Sequence, residues 1–171
     1  ISGSPNYFDN YQPTGSLASF DGQSANGIWN LVVYNSQGTE AVVDCDLLVQ
    51  TDASEPIPEP NDPVFTYTGT PFTVAGDNTT SQSITISESG YIADLNITIS
   101  GYENCDIEYF DITLQSPNGT TVALVNTGTL SGKAFYHTTY DDQATTMIQD
   151  GSAPYFSIYQ PESPLSNFIG E

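Results

Sequence analysis

Apolar and polar residues alternate along most of this chain with a period of two. Tyr91, Ala93, Leu95, Ile97 and Ile99 interleave with Ile92, Asp94, Asn96, Thr98 and Ser100, the spacing of a strand with one face in a core. Phe110, Ile112 and Leu114 interleave likewise with Asp111 and Thr113, and Val43, Cys45, Leu47 and Val49 with Asp44 and Asp46. Further strands are predicted over residues 28–34, 64–68, 82–87, 120–125, 133–138 and 155–159. Since no stretch has helical periodicity, the expected class is all-β. Turn signals separate the runs at Ser36-Gln37-Gly38, Pro117-Asn118-Gly119 and Ser131-Gly132. Asn-Gly supplies the positive φ angles of a tight hairpin, so Pro117-Asn118-Gly119 is expected to join two antiparallel neighbours. Many short strands at this spacing point to a β-sandwich or jelly roll.

Displaced by 148 residues, the first 23 positions fall on the last 23 with ten identities: Gly3, Ser4, Tyr7, Phe8, Tyr11, Gln12, Pro13, Leu17, Phe20 and Gly22 meet Gly151, Ser152, Tyr155, Phe156, Tyr159, Gln160, Pro161, Leu165, Phe168 and Gly170. That period is far longer than a solenoid repeat, so a whole domain recurs, and the chain is one period of a tandem array cut out of phase. The segment 53–63 differs in kind. Pro56, Pro58, Pro60 and Pro63 alternate with Glu55, Glu59 and Asp62, which suits an extended polyproline spacer between repeats.

Composition narrows the partners. The 171 residues carry 21 acidic side chains against a single base, Lys133, so neither nucleic acid nor an anionic membrane surface is an expected partner. A net charge of −20 repels itself and calls for cations or salt. No apolar run reaches the ~20 residues that span a bilayer, and the polar, Thr- and Asn-rich composition points to a secreted or cell-surface protein. Cys45 and Cys105 both sit among carboxyl and amide neighbours, in Asp44-Cys45-Asp46 and Asn104-Cys105-Asp106. Nearby carboxylates raise a thiol pKa, so a disulfide in an oxidising compartment is expected ahead of a reactive nucleophile, with two buried free thiols as the alternative.

From Leu17 to Leu31 the chain follows Leu-x-x-Phe-x-Gly-x-x-x-x-Gly-x-Trp-x-Leu, and its first half recurs at Leu165, Phe168 and Gly170. This resembles the closing motif of the P domain (P/Homo B), the β-jelly-roll module that follows the catalytic domain in proprotein convertases and many secreted bacterial subtilisin-like proteases. The strand from Ile92 to Ile99, the segment Asp111-Ile112-Thr113-Leu114-Gln115-Ser116-Pro117-Asn118-Gly119-Thr120 and the turn Tyr140-Asp141-Asp142-Gln143-Ala144 are similar to that family's opening strand, hairpin and acidic turn, in family order. The order is displaced, however. Residues 1–52 resemble the end of one P domain and 64–171 the beginning and middle of the next, so the chain is either a permuted single jelly roll or pieces of two beads completed by other chains. Cys45 stands where the family has an aromatic residue.

Chemistry is expected to be sparse. His137 is the only histidine and, set in a predicted strand, is read as structural. No Gly-x-Ser-x-Gly elbow, His-Glu-x-x-His helix or Cys-x-x-Cys pair is present, so a non-enzymatic module is expected. Calcium is the one metal with a case, since hard oxygen ligands from loops are what it needs and some bacterial P domains bind it. The candidate ligands are Glu103, Asp106, Glu108 and Asp111 around one hairpin and Asp141 with Asp142 in a turn, against a solvated acidic surface on which Asp141 caps its own turn. Trp29 is read as core ahead of a sugar platform. Asn78, Asn96 and Asn118 begin Asn-x-Thr sequons, and Lys133 is expected to face solvent. The expected function is an extracellular structural or adhesive repeat that is calcium-stabilised and assembles with neighbouring copies by strand completion. Its alternatives are an accessory domain of a subtilisin-like protease and a carbohydrate- or peptide-binding jelly roll.

Overall fold

The alternation becomes two β-sheets packed face to face. The structure, a computed structural model, describes residues 9–10, 17–20, 23–52, 63–101, 106–157 and 159–160. Its strands are β1 (Asp9–Asn10), β2 (Gly27–Asn35), β3 (Ala41–Asp52), β4 (Val64–Thr68), β5 (Phe72–Val74), β6 (Asn78–Ile86), β7 (Tyr91–Gly101), β8 (Phe110–Gln115), β9 (Thr121–Val125), β10 (Thr138–Tyr140), β11 (Thr146–Met147) and β12 (Tyr159–Gln160). The first sheet has the order β11-β12-β10-β7-β3-β4, with β1 also on β10 and β5 on β3; the second has the order β6-β2-β8-β9. Pairing is antiparallel except where β1 and β12 meet β10 and where β11 meets β12.

Strands from the two sides of the proline-rich segment interleave. β2 lies between β6 and β8, and β3 between β4 and β7, so residues 27–52 hold interior positions in both sheets. Of the 53–63 spacer only Pro63 is described, and its carbonyl accepts the Thr51 N–H at 3.2 Å. The inward residues of β2, β3, β7, β8 and β9 form one core, among them Trp29, Leu31, Leu47, Val49, Ile97, Ile99, Ile112 and Leu114. Tyr91 departs from its predicted inward place and is 47% exposed.

The Leu17-to-Leu31 motif has a packing explanation. Leu17, Phe20, Trp29 and Leu31 are all buried, and Phe20 meets the Trp29 ring edge-on at 4.7 Å. The indole N–H donates to the Ala25 carbonyl at 3.0 Å, so burying Trp29 leaves no polar atom unmatched. Gly27 has φ +138°, and a Cβ there would lie 2.7 Å from the Pro117 ring. Only glycine lets β2 start this close to the β8–β9 turn. That turn runs as expected, with Gly119 at φ +92° and the Ser116 N–H donating to the Thr120 carbonyl at 2.9 Å.

Two predicted strands fail: of the described residues in 155–159 only Tyr159 lies in a strand, because Tyr155 forms an isolated bridge and the chain bends at Ser157. Residues 133–138 do not run extended, because Ala134 and His137 take left-handed backbone at φ +70° and +51°, and β10 begins only at Thr138. Such conformations cost an L-residue about 1–3 kcal/mol and persist where surrounding contacts impose them. Here the Phe135 carbonyl accepts from Gly101 N–H, and the Ala134 carbonyl from Tyr155 N–H.

Replacing Gly27 with alanine should destabilise the fold by about 1–3 kcal/mol, from strained φ together with the Pro117 clash. Urea unfolding followed by circular dichroism would measure it, and an unchanged midpoint would refute the account of the motif.

Candidate functional site

Four of the acidic side chains proposed as metal ligands, Asp106, Glu108, Asp111 and Asp141, are engaged locally. Asp106 accepts from the Gln37 side-chain amide at 2.8 Å and pairs with Lys133 at 3.7 Å. Lys133 is otherwise the solvent-facing residue expected, 58% exposed along its side chain, and an ion pair so open to water adds little stability. Glu108 accepts a hydrogen bond from the Tyr109 phenol and thereby holds that phenol above its usual pKa. Asp111 accepts the Thr127 N–H at 2.7 Å. Glu103 lies outside the described residues. Among the described residues no three carboxylate, histidine or cysteine side chains converge to hold a metal ion.

Asp141 caps its turn. Its carboxylate accepts the Gln143 N–H at 2.7 Å, and its carbonyl accepts the Ala144 N–H. Burial raises its pKa above the ordinary carboxylate value; the Gln143 bond opposes that shift and the charge of Asp94 adds to it. Asp94, three residues beyond the β7–β10 pairing on β7, is thus the carboxylate that the fold brings near Asp141, and sequence proximity gave no sign of it. Asp142 follows in the same turn and is half-buried.

A depression of ≈ 140 Å³ opens at the end of β7, lined by Asp44, Ser100, Gly101, Phe135, Tyr136 and His137. Its polar residues are the types found in hydrolytic triads. The Ser100 hydroxyl and His137 Nδ1 are 3.1 Å apart, and Asp44, paired across the strands with Ser100, accepts the Cys45 N–H at 2.9 Å. The setting is not that of an activated nucleophile. Ser100 stands on a strand rather than at a strand-to-helix elbow, and the neighbouring Gly101 N–H, which could face an oxyanion, donates instead to Phe135 at 2.8 Å.

Aromatic platforms are equally sparse among the described residues. Trp29 is core. The exposed Tyr91 and Tyr109 are held at opposite ends of β2, Tyr91 bridging to Ser24 before that strand and Tyr109 accepting from Ser36 after it. Cys45 is a buried, unbridged thiol, pushed up to about 12 by burial and by the charges of Asp44 and Asp46. Its proposed partner, Cys105, lies outside the described residues. For Cys45 the structure has the free-thiol alternative.

Two outcomes follow. Asp141→Ala should cost about 1 kcal/mol through the lost cap, and equally in calcium and in chelator, whereas Asp141→Asn should keep the cap and shed the repulsion from Asp94. Calorimetry in both solutions checks this, and a loss confined to calcium would make Asp141 a ligand. In a Cys105→Ser chain, Cys45 should react with Ellman's reagent at pH 8.5 roughly 10³-fold more slowly folded than unfolded, because only the thiolate attacks. The raised thiol pKa also favours the fold below the ordinary thiol value and ceases to do so as pH climbs towards 12.

Set beside known proteins, the chain matches no protein family, no curated protein and no solved structure.

Proposed function

We propose that this chain is a non-enzymatic structural module, one permuted unit of an extracellular array of P-domain-like jelly rolls. The observation that carries this reading is the interleaving of the two sheets: residues 27–52 supply an interior strand to each, and residues 64–160 supply the neighbours on both sides. Together with the 148-residue recurrence, this supports the permuted-unit reading. The segments that carry the P-domain resemblance lend this reading further support. The Leu17-to-Leu31 motif is core, the Asp111-to-Thr120 segment is a hairpin and the Tyr140-to-Ala144 segment is a capped turn.

A ligand-binding role draws less support, because no exposed aromatic cluster stands out among the described residues, and an accessory role to a protease draws less because the domain recurs. Calcium enters this reading as a counter-ion to the 20 excess negative charges.

A concatemer tests the proposal. Residues 1–171 followed directly by 24–171 share one overlap segment between two units. Small-angle scattering should give two beads, and urea unfolding should give two transitions of equal midpoint. If the second unit is unfolded, the overlap is not a repeat boundary and the array reading fails.

A further inference from the structure

The depression at the end of β7 brings three polar side chains, Asp44, Ser100 and His137, together with two aromatic ones, Phe135 and Tyr136. At ≈ 140 Å³ it is smaller than the ~300–1,000 Å³ of pockets that hold whole drug-sized ligands. A space of about 150 Å³ accepts one benzene-sized group. The depression therefore suits the head of a single side chain.

Its aromatic part is set in strained backbone. Ala134 at φ +70° and His137 at φ +51° bracket Phe135 and Tyr136. Hydrogen bonds hold the segment there. The Gly101 N–H donates to the Phe135 carbonyl at 2.8 Å, the Tyr136 N–H to the Tyr155 carbonyl at 3.3 Å, and the Tyr155 N–H to the Ala134 carbonyl at 3.3 Å. Phe135 is buried and Tyr136 half-buried, with the Tyr136 ring steeply inclined to the His137 imidazole at 6.4 Å. Strain of this kind clusters at ligand clamps, and a wall fixed in advance loses little freedom when a ligand arrives.

Its polar part carries negative charge. Asp44 Oδ1 accepts the Cys45 N–H at 2.9 Å, which leaves Oδ2 to an incoming donor. Ser100, paired with Asp44 across the β3–β7 ladder, adds a hydroxyl oxygen 3.1 Å from His137 Nδ1. Asp46 follows Asp44 on the same outward face of β3, and the one lysine of the chain pairs with Asp106. These features select a cation. A guanidinium suits both parts of the site, because it is planar, stacks on an aromatic ring and presents its N–H groups to a carboxylate as a fork. An ammonium answers the charge as a point and has no such fork.

We propose that this depression is a socket for one arginine side chain of a partner protein. The inference goes beyond the array reading and does not depend on it. These 171 residues contain no arginine, so the side chain comes from outside them.

His137 is the only histidine, so its imidazole C2 proton is a single NMR signal within the lining of the socket. Adding N-acetyl-arginine amide to the chain at physiological ionic strength should shift that signal and reach saturation. Asp44→Asn keeps an oxygen for the Cys45 N–H and should weaken binding about tenfold. Glu88→Gln removes the same charge before the opposite end of β7 and should leave binding unchanged. Tyr136→Leu should weaken binding as well, and it carries the test if Asp44→Asn fails to fold. N-acetyl-lysine amide should bind more weakly than the arginine compound, and N-acetyl-norleucine amide should not shift the signal. A shift that never saturates, equal losses in Asp44→Asn and Glu88→Gln, full affinity in Tyr136→Leu, or equal binding of the lysine compound would overturn the proposal.

Discussion

The antiparallel ladder between β3 and β7 is the contact on which the remaining architecture depends. It runs from Val43 opposite Gly101 to Asp52 opposite Tyr91, with one irregularity between Gln50 and Thr51. Along it Cys45, Leu47 and Val49 turn inward beside Ile99, Ile97 and Leu95. The outward rows are polar apart from Leu48 beside Asn96, with Asp46 beside Thr98 and Gln50 beside Asp94. A shift of one residue would put Leu47 and Ile97 in water and carboxylates in the core, so register is strongly specified. The ladder also joins stretches of sequence that flank the proline-rich segment, and it gives β4, β5 and β10 the sheet on which they assemble.

Electrostatics work against this core. With 21 acidic side chains and one lysine, charge is managed by dispersal and local hydrogen bonding. Asp44, Asp111 and Asp141 each accept a backbone N–H, and Asp106 takes both Gln37 and Lys133. The Asp111 and Asp141 bonds hold a loop end and a turn in place, while that of Asp44 lies within β3.

Much of the fold was legible because half-buried antiparallel strands write their alternation directly into sequence. β4 matches its predicted span, 64–68, and β2, β8 and β9 lie within a residue of theirs. β5 and β11, with three and two residues, are too short to show a period. The misplacement of β10 has another origin: the left-handed turns at Ala134 and His137 are imposed by Gly101 and Tyr155, which are distant in sequence. The candidate site was harder to read for the same reason. Glu108 and Asp111 are near neighbours in sequence yet bind separate partners, while Asp94 and Asp141, or Ser100 and His137, meet only through the β7–β10 pairing. The duplicated termini were plain in the sequence, but their common place on β10 required the register.

Trp29 gives this molecule an unusually clean optical handle. It is the only tryptophan, fully enclosed, with its indole N–H bonded to a backbone carbonyl and its ring against Phe20. Its emission therefore reports the interior of the sandwich beneath β2 and nothing from the periphery around β10. A perturbation that rearranges strands at that edge while leaving the core intact would pass unseen in fluorescence and register only in hydrodynamic size. Loss of the core would alter both signals, so the pair of readings separates rearrangement from unfolding in one sample.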